Sequence, residues 1–334
     1  MKSKLLLSAS SIATFQTCRR RYYYEKILGL RPKETADSLA FGSAVHRGLE
    51  RIFRAMMEAG HRGEQYSHEF RLTTVEDAYL SALEVDLSES DRIKVEVLLA
   101  KYAEIYLESD MRDLVVVDVE RKGVRPILSP KSERKMRGTA VLGYCDALAK
   151  YKHIPCVIEH KTTSAMTDDF FAHASIDLQV YLYADIYSHI GYGDSIKLVI
   201  YDAIQKPRHE MSVGESDEEF EARKAASKCP ARCKRKESET AEEFRIRLEM
   251  SIDESYFRRE FIEIDDSMLL EMHQELWEVA HDISKCTCFG KSTCNCMKWG
   301  KCPYMDVCKN HGSFFGLDDK FTKWEPRNES EQTA

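Results

Sequence analysis

No stretch of this 334-residue chain stays apolar for long. The roughly 18 consecutive apolar residues of a membrane-crossing helix are missing, which excludes a polytopic membrane protein. Glycine (15 residues) and proline (8) are scarce, which excludes collagen-like and low-complexity classes. Positive charge is not in excess: 49 Lys and Arg face 56 Asp and Glu, a net of −7. A protein that coats nucleic acid by bulk charge is therefore not expected, although a local groove can be basic in an acidic whole. Lys2 and Lys4 before Leu5–Leu7 only imitate an export signal, because the apolar stretch stops at Ser8 and no cleavage context follows. A cytoplasmic protein is the expectation.

Cysteine, by contrast, is plentiful. There are eleven, an awkward number for a disulfide framework, and Cys286, Cys288, Cys294, Cys296, Cys302 and Cys308 crowd into one short segment. Clustered cysteines in a chain without a signal peptide read as metal ligands before disulfides. Cys229 and Cys233 form an isolated C-x-x-x-C pair and are read as incidental; Cys145 and Cys156 fall in expected strands and are read as core. A local basic excess sits at Arg19, Arg20, Arg21, Lys26, Arg31 and Lys33, interleaved with Tyr22, Tyr23 and Tyr24. On its own this suits a solvated helix with its tyrosines on the buried side.

Periodicity predicts helices over 8–30, 41–59 and 74–109, with Ser8 or Ser10 as a first cap and Gly29 and Gly60 as stops. The character changes at Leu114–Val119, a β-branched strand. A hairpin-like return ends at Val141–Ala149, and a short apolar strand, Pro155–Ile158, runs into Glu159. A helix over 177–189 and a strand over 196–204 complete an α/β core with a mixed sheet. Residues 206–260 read as a charged excursion with helical pieces over 217–227 and 239–250. A helix over 265–283 leads into the cysteine cluster, and the polar tail after Trp324 is expected to be loose. These divisions make one domain: a helical region (1–110), an α/β core (111–205), the excursion (206–260), a helix with the cysteines (261–310) and a tail (311–334).

Three E-x-K triplets occur: Glu120/Lys122, Glu133/Lys135 and Glu159/Lys161. The second lies in a polar loop and reads as a solvated ion pair. The third follows the buried-type strand Cys156–Ile158, and residues two apart on a strand project from one face. A hairpin would set Asp146 beside Glu159, and two carboxylates on neighbouring strands suit Mg²⁺ or Mn²⁺; a plain structural ion pair remains the alternative at this point. Gln179 and Tyr183 share a helix face at i,i+4. His46, in Gly42-Ser43-Ala44-Val45-His46, is a lone helical histidine, more often structural than a ligand.

The ordered series His46, Asp146, Glu159-x-Lys161, Gln179-x-x-x-Tyr183 resembles the RecB-like branch of the PD-(D/E)XK nuclease superfamily. Ser8-Ala9-Ser10-Ser11 and Cys18-Arg19-Arg20-Arg21-Tyr22-Tyr23-Tyr24 are similar to that branch's opening, and the stretch from Tyr201 to Pro207 with the acidic segments after it resembles phage-encoded members. The resemblance runs from about residue 8 to 310 and implies a restriction-endonuclease-like mixed sheet flanked by helices. It also implies that Cys18 joins Cys296, Cys302 and Cys308 around a 4Fe-4S cluster that clips the chain ends together. Zn²⁺ on the same thiolates is the alternative, and Cys294 leaves the second ligand ambiguous.

The implied activity is metal-dependent DNA hydrolysis, with exonuclease action on DNA ends or single strands in recombination, repair or phage DNA processing. Asp146, Glu159, the main-chain carbonyl of His160 and His46 would hold Mg²⁺ or Mn²⁺. Lys161 would orient water or stabilise the transition state, and Gln179 and Tyr183 would organise the site. Arg19, Arg20, Arg21 and Tyr22 would contact DNA, with a helicase or recombination protein as a further partner. A CRISPR-type spacer-acquisition nuclease and a non-catalytic Zn or Fe–S DNA-binding adaptor are the competing readings.

Overall fold

The structure, a computed structural model, describes residues 5–33, 37–190, 195–298, 300–313, 315–317 and 319–323. Its centre is a six-stranded mixed sheet. β3 (Leu114–Leu128) and β4 (Lys135–Tyr151) form a long antiparallel hairpin, and β5 (Ile154–Thr163) continues antiparallel to β4. β6 (Leu198–Gln205) lies parallel to β5, and β7 (Phe257–Glu263) closes the far edge antiparallel to β6. β1 (Leu5–Leu7) is a strand parallel to the start of β4. β3 occupies one edge of β4, so β1 and β5 share the other: β1 pairs at 139–141 and β5 at 147–151. Residues 142–146 lie between these two pairings, and Asp146 is the last of them.

Helices cover both faces. α3 (Asp37–Arg62), α4 (His68–Ala82), α5 (Glu89–Asp113) and α9 (Ala241–Ser251) bury one face, with Phe53, Leu98, Leu99, Ile158 and Phe244 in the shared core. α1 (Ala9–Thr17), α7 (Leu178–His189) and α10 (Asp266–Lys285) bury the other, with Phe15, Val157, Leu182 and Leu276. Cys156 and Ile158 face the first core and Val157 the second, so β5 is apolar on both sides, as an internal strand must be. α3 and α5 approach closely because Gly48 has no side chain: a Cβ there would lie 2.4 Å from Leu99 Cδ1. Between β5 and β6 stand the short α6 (Asp168–Ala174) and α7, the latter capped by Asp177, whose Oδ1 accepts from the Gln179 amide at 2.9 Å.

Several boundaries differ from the sequence reading. The first helix is broken at Cys18, which is extended (φ −160°, ψ 107°); α2 (Arg19–Tyr22) and a wide turn to Ile27 follow, and Gly29 sits at φ 67°. α3 passes through Gly60 to Arg62, and the expected helix over 74–109 is two helices separated by the Ser88 cap of α5. Cys145 and Cys156 are buried, and α8 (Asp217–Ala226) and α9 occupy the excursion as expected. The tail after Trp324 lies outside the described residues.

Near the two ends of the chain, β2 (Leu30–Pro32) pairs antiparallel with β8 (Phe321–Lys323). Tyr24, Leu30, Tyr304, Val307 and Phe321 form a separate small core there, next to α11 (Met305–Lys309).

Candidate active site

The hairpin brings Asp146 to β5 as expected: the His160 amide donates to Asp146 Oδ2 at 2.6 Å. Alternation of faces breaks in β4 here, since Cys145 belongs to the α7-side core and Ala147 to the α3-side core. Opposite this break, Glu120 on β3 takes a left-handed conformation (φ 52°), with Val119 paired to Ala147 and Arg121 to Cys145. Such irregularities re-aim side chains out of a sheet. His46, from α3, meets Asp146 with Nδ1 3.4 Å from Oδ1.

Glu159 and Lys161 share the α7 side of β5. Lys161 Nζ donates to Glu159 Oε1 and, at 3.0 Å, to Gln179 Oε1. Gln179 Nε2 donates to Glu159 Oε1 at 2.7 Å and to the Tyr183 hydroxyl at 3.1 Å. The i,i+4 pair on α7 therefore holds the acid and the lysine in one hydrogen-bonded chain. Glu159 Oε2 is buried and has no hydrogen-bond partner among the described residues.

Charge explains what this open oxygen means. Burial and the Asp146 carboxylate push Glu159 up to about 8, against the pull of Lys161. Burial opposes the charge on Lys161, but Glu159 outweighs it and the ammonium holds its proton firmly. His46 is raised: burial works against its charge, and the hydrogen bond and charge of Asp146 prevail. Asp146 is lowered despite burial, because His46 and His160 surround it. Glu120 is pushed up to about 7 by burial and then by Asp146 and Glu50. Glu120 was not singled out from the sequence; the signal was there, in the E-x-K triplet that ends a β-branched run. Carboxylates gathered with an unsatisfied oxygen between them suit a hard divalent cation, and the residues fit that group. Among the described residues, no group of three or more His, Cys, Asp or Glu side chains is placed to hold a metal ion, either at these carboxylates or among Cys18, Cys296, Cys302 and Cys308.

A family model described as the PD-(D/E)XK nuclease superfamily matches residues 6–309. The chain belongs to that superfamily. Membership implies a metal-dependent nuclease acting on DNA, and the mixed sheet flanked by helices is consistent with a restriction-endonuclease-like fold. No curated protein matches the chain. Among solved structures, one described as the crystal structure of SSO0001 aligns over 87% of this chain and 90% of that one, at 11% identity and a TM-score of 0.31. No helix among the described residues is long and apolar enough to cross a membrane.

Elsewhere in the nuclease the expected residues fare unequally. The His160 imidazole points away from the carboxylates, against Phe53 (ring centroids 5.0 Å apart) and within 3.3 Å of Asp202 Oδ2, so only its main chain borders Asp146. Behind it lies a charged network that no local sequence pattern predicts. Arg259 donates to Asp110 at 2.6 and 2.8 Å and to the Tyr102 hydroxyl at 2.7 Å, and the Tyr102 hydroxyl donates to Asp202 at 2.5 Å.

Tyr22 cannot stack on a base. It is 2% exposed, edge-on to Phe15 at 5.3 Å, and burial pushes its hydroxyl up to about 12. Arg19 is exposed and pairs with Asp282; Arg20 donates to the Phe289 carbonyl at 2.7 Å, and Arg21 lies 3.5 Å from Glu25. The tyrosine-in, arginine-out helix is thus what the segment builds.

All eleven cysteines are free. Cys18 sits where α1 meets α2, and the Asn295 side chain donates to the Thr17 carbonyl at 2.8 Å, which brings the two cysteine-bearing segments together. The Cys302 amide donates to the Cys296 carbonyl at 2.9 Å; Cys302 and Cys308 pack on the small core, whereas Cys294 is exposed. Cys229 and Cys233 lie at the surface of the excursion.

Proposed function

We propose that this nuclease is RecB-like, and that it acts as an exonuclease on DNA ends or single strands. Asp146 and Glu159 would hold Mg²⁺ or Mn²⁺, with His46 and the main-chain carbonyl of His160 completing the set. When bound, the cation supplies a lowered pKa for water and neutralises charge on the scissile phosphate. Lys161, fixed by Glu159 and Gln179, sets a permanent positive charge beside that position, where it can orient water or offset developing negative charge. Gln179 and Tyr183 lock the rotamers of both. The observation that carries the reading is the buried, unpartnered Glu159 Oε2 beside a second carboxylate.

Four thiolates from the two chain ends would hold a 4Fe-4S cluster. The Thr17–Asn295 bond and the place of Cys296 next to Cys302 support Cys18, Cys296, Cys302 and Cys308 as the set, although the four thiols would have to draw together around the cluster. Anaerobic purification with iron and zinc analysis, followed by assays on labelled single- and double-stranded DNA with Mn²⁺ or Mg²⁺, tests both parts. Brown protein with about four irons and metal-dependent trimming from ends is expected. Colourless, zinc-loaded protein that binds DNA without cutting it would instead favour the adaptor.

A pH effect follows from Glu159. Its folded pKa of about 8 lies above the ordinary 4.5, so between these values the folded state holds a proton that the unfolded state has released. Without metal, stability from this group falls as pH rises across that window, and a cation that needs the carboxylate must first displace the proton. The rise in melting temperature on adding Mg²⁺ or Mn²⁺ is expected to be larger at about pH 8.5 than at about pH 6.5. Equal shifts at both would mean that Glu159 is not a ligand.

A further inference from the structure

Between β6 and β7 the chain makes an arm that the sheet does not require. Residues 222–236 hold seven Lys and Arg (Arg223, Lys224, Lys228, Arg232, Lys234, Arg235, Lys236) and no Asp or Glu, within a chain whose net charge is −7. The arm leaves the sheet at the catalytic end of β5. The Lys206 amide donates to the Thr163 carbonyl at 2.8 Å, and Arg208 donates to the Ser164 carbonyl at 3.2 Å. Lys161 is only two residues before Thr163.

The root is anchored. Lys94 on α5, fully buried, donates to Glu210 at 2.7 Å, and Lys206 lies 4.3 Å from the centre of the Phe41 ring. Above the root, residues 212–215 run beside 236–239: Glu239 and Ser238 accept from the Ser212 and Gly214 amides, and the Glu215 amide donates to the Lys236 carbonyl. The tip, α8 and the Pro230–Arg232 turn, is tied to this stem by Arg223 on Glu215.

Its acids are largely used internally, Asp217 by Arg235, Glu221 by Lys224 and Glu219 by the α8 cap. Lys228, Arg232 and Lys234 are exposed and have no ion pair among the described residues. Arg223, Lys224 and Arg235, each paired with an acid, surround the Phe220 ring at 5.3–5.6 Å and fix the shape of the tip, which leaves Lys228, Arg232 and Lys234 as its outward charge.

We propose that the arm tip grips the phosphate backbone of the DNA substrate, a proposal that rests on the nuclease reading above. The site offers little free positive charge of its own, since Lys161 is bonded to Glu159 among the acids Asp146, Glu120 and Glu50. A local source of positive potential rooted at the same end of the sheet supplies what the site lacks, holds the duplex or strand and raises its local concentration. Because phosphate contacts carry no sequence information, the grip is indifferent to sequence.

The test uses the full chain with Lys228→Ala, Arg232→Ala and Lys234→Ala combined, all exposed positions outside the site. Binding of a labelled duplex with a single-stranded end is measured in EDTA across a range of salt, and cleavage is measured with Mn²⁺. Affinity is expected to fall about 10-fold or more, and the slope of log affinity against log salt to shrink by about 2–3, near 0.9 per lost duplex contact. KM should rise with kcat unchanged. Wild-type affinity and slope in the triple variant would overturn the proposal and leave these cations to solvent or to an acidic protein. Arm-dependent binding without cleavage by the wild type would sink the nuclease reading and spare the arm; cleavage by both proteins with equal KM would sink the arm alone.

Discussion

Lys161→Ala is expected to lower the rate of DNA cleavage by about 10²–10³, the usual effect of removing one charge-stabilising group, while DNA affinity and the content of any bound iron stay the same. Among the described residues Lys161 bonds within the site, to Glu159 and Gln179, and it belongs to neither apolar core flanking β5. Loss of its charge also removes the larger of the two cationic pulls on the raised Glu159 pKa and leaves only that of His46, so the variant should demand a higher pH or more metal for its residual activity. Single-turnover cleavage beside fluorescence-based DNA binding measures the two parts separately. If the variant unfolds, or loses DNA binding along with cleavage, Lys161 is a structural ion-pair partner and the catalytic assignment fails.

The second large effect is on stability. Arg259→Ala would strip the cation from between Asp202 and Asp110, which are 0% and 4% exposed. Breaking a buried pair on one side costs about 3–5 kcal/mol, because the stranded charge has no water to return to. Here two carboxylates are stranded. For a chain of this size that is a fall in melting temperature of roughly 5 °C or more, read by calorimetry without metal. Arg259→Ala protein that melts with the wild type would show that the network contributes nothing to holding β7, β6 and α5 together. The consequence reaches the site through Asp202, which lies against the His160 imidazole, while the amide of the same residue holds Asp146.

The contrast between these two residues shows what the sequence could and could not reveal. Lys161 was legible because its neighbours are local: an apolar strand runs into Glu159, and one hairpin and one helix supply Asp146, Gln179 and Tyr183. The sheet was legible for the same reason, through β-branched runs at β3, β5 and β6. Arg259 was not legible, since its partner Asp110 lies 149 residues away and Tyr102 lies 100 residues from Asp202. β7 was missed because Phe257-Arg258-Arg259-Glu260-Phe261-Ile262-Glu263 looks charged, yet Arg259 is buried only because the network waits for it. Glu120 was passed over although it heads an E-x-K triplet, because the left-handed backbone kink that sets it opposite Asp146 is not written in that triplet. Tyr22 went wrong in the opposite direction: the basic-aromatic string resembled a nucleic-acid contact, and the fold spent the ring on the core.

The meeting of the chain ends has a kinetic side. Leu30 pairs with Lys323, and Tyr304 bonds back to the Leu30 carbonyl across 274 residues. Closing so long a loop is not much dearer than closing one half its length, about 0.6 kcal/mol more, but it can happen only after the intervening chain has condensed. β3, β4 and β5 are joined by short turns and can assemble early. The junction of the ends has a small core of its own, five buried side chains apart from both cores of the main sheet, and a unit so small and separate can open without the sheet. The β2–β8 ribbon can therefore part while the sheet that bears Asp146 and Glu159, β1 included, stays folded, and oxidative damage to Cys302 or Cys308, which pack on the ribbon's core, would loosen it before it disturbed the cutting centre.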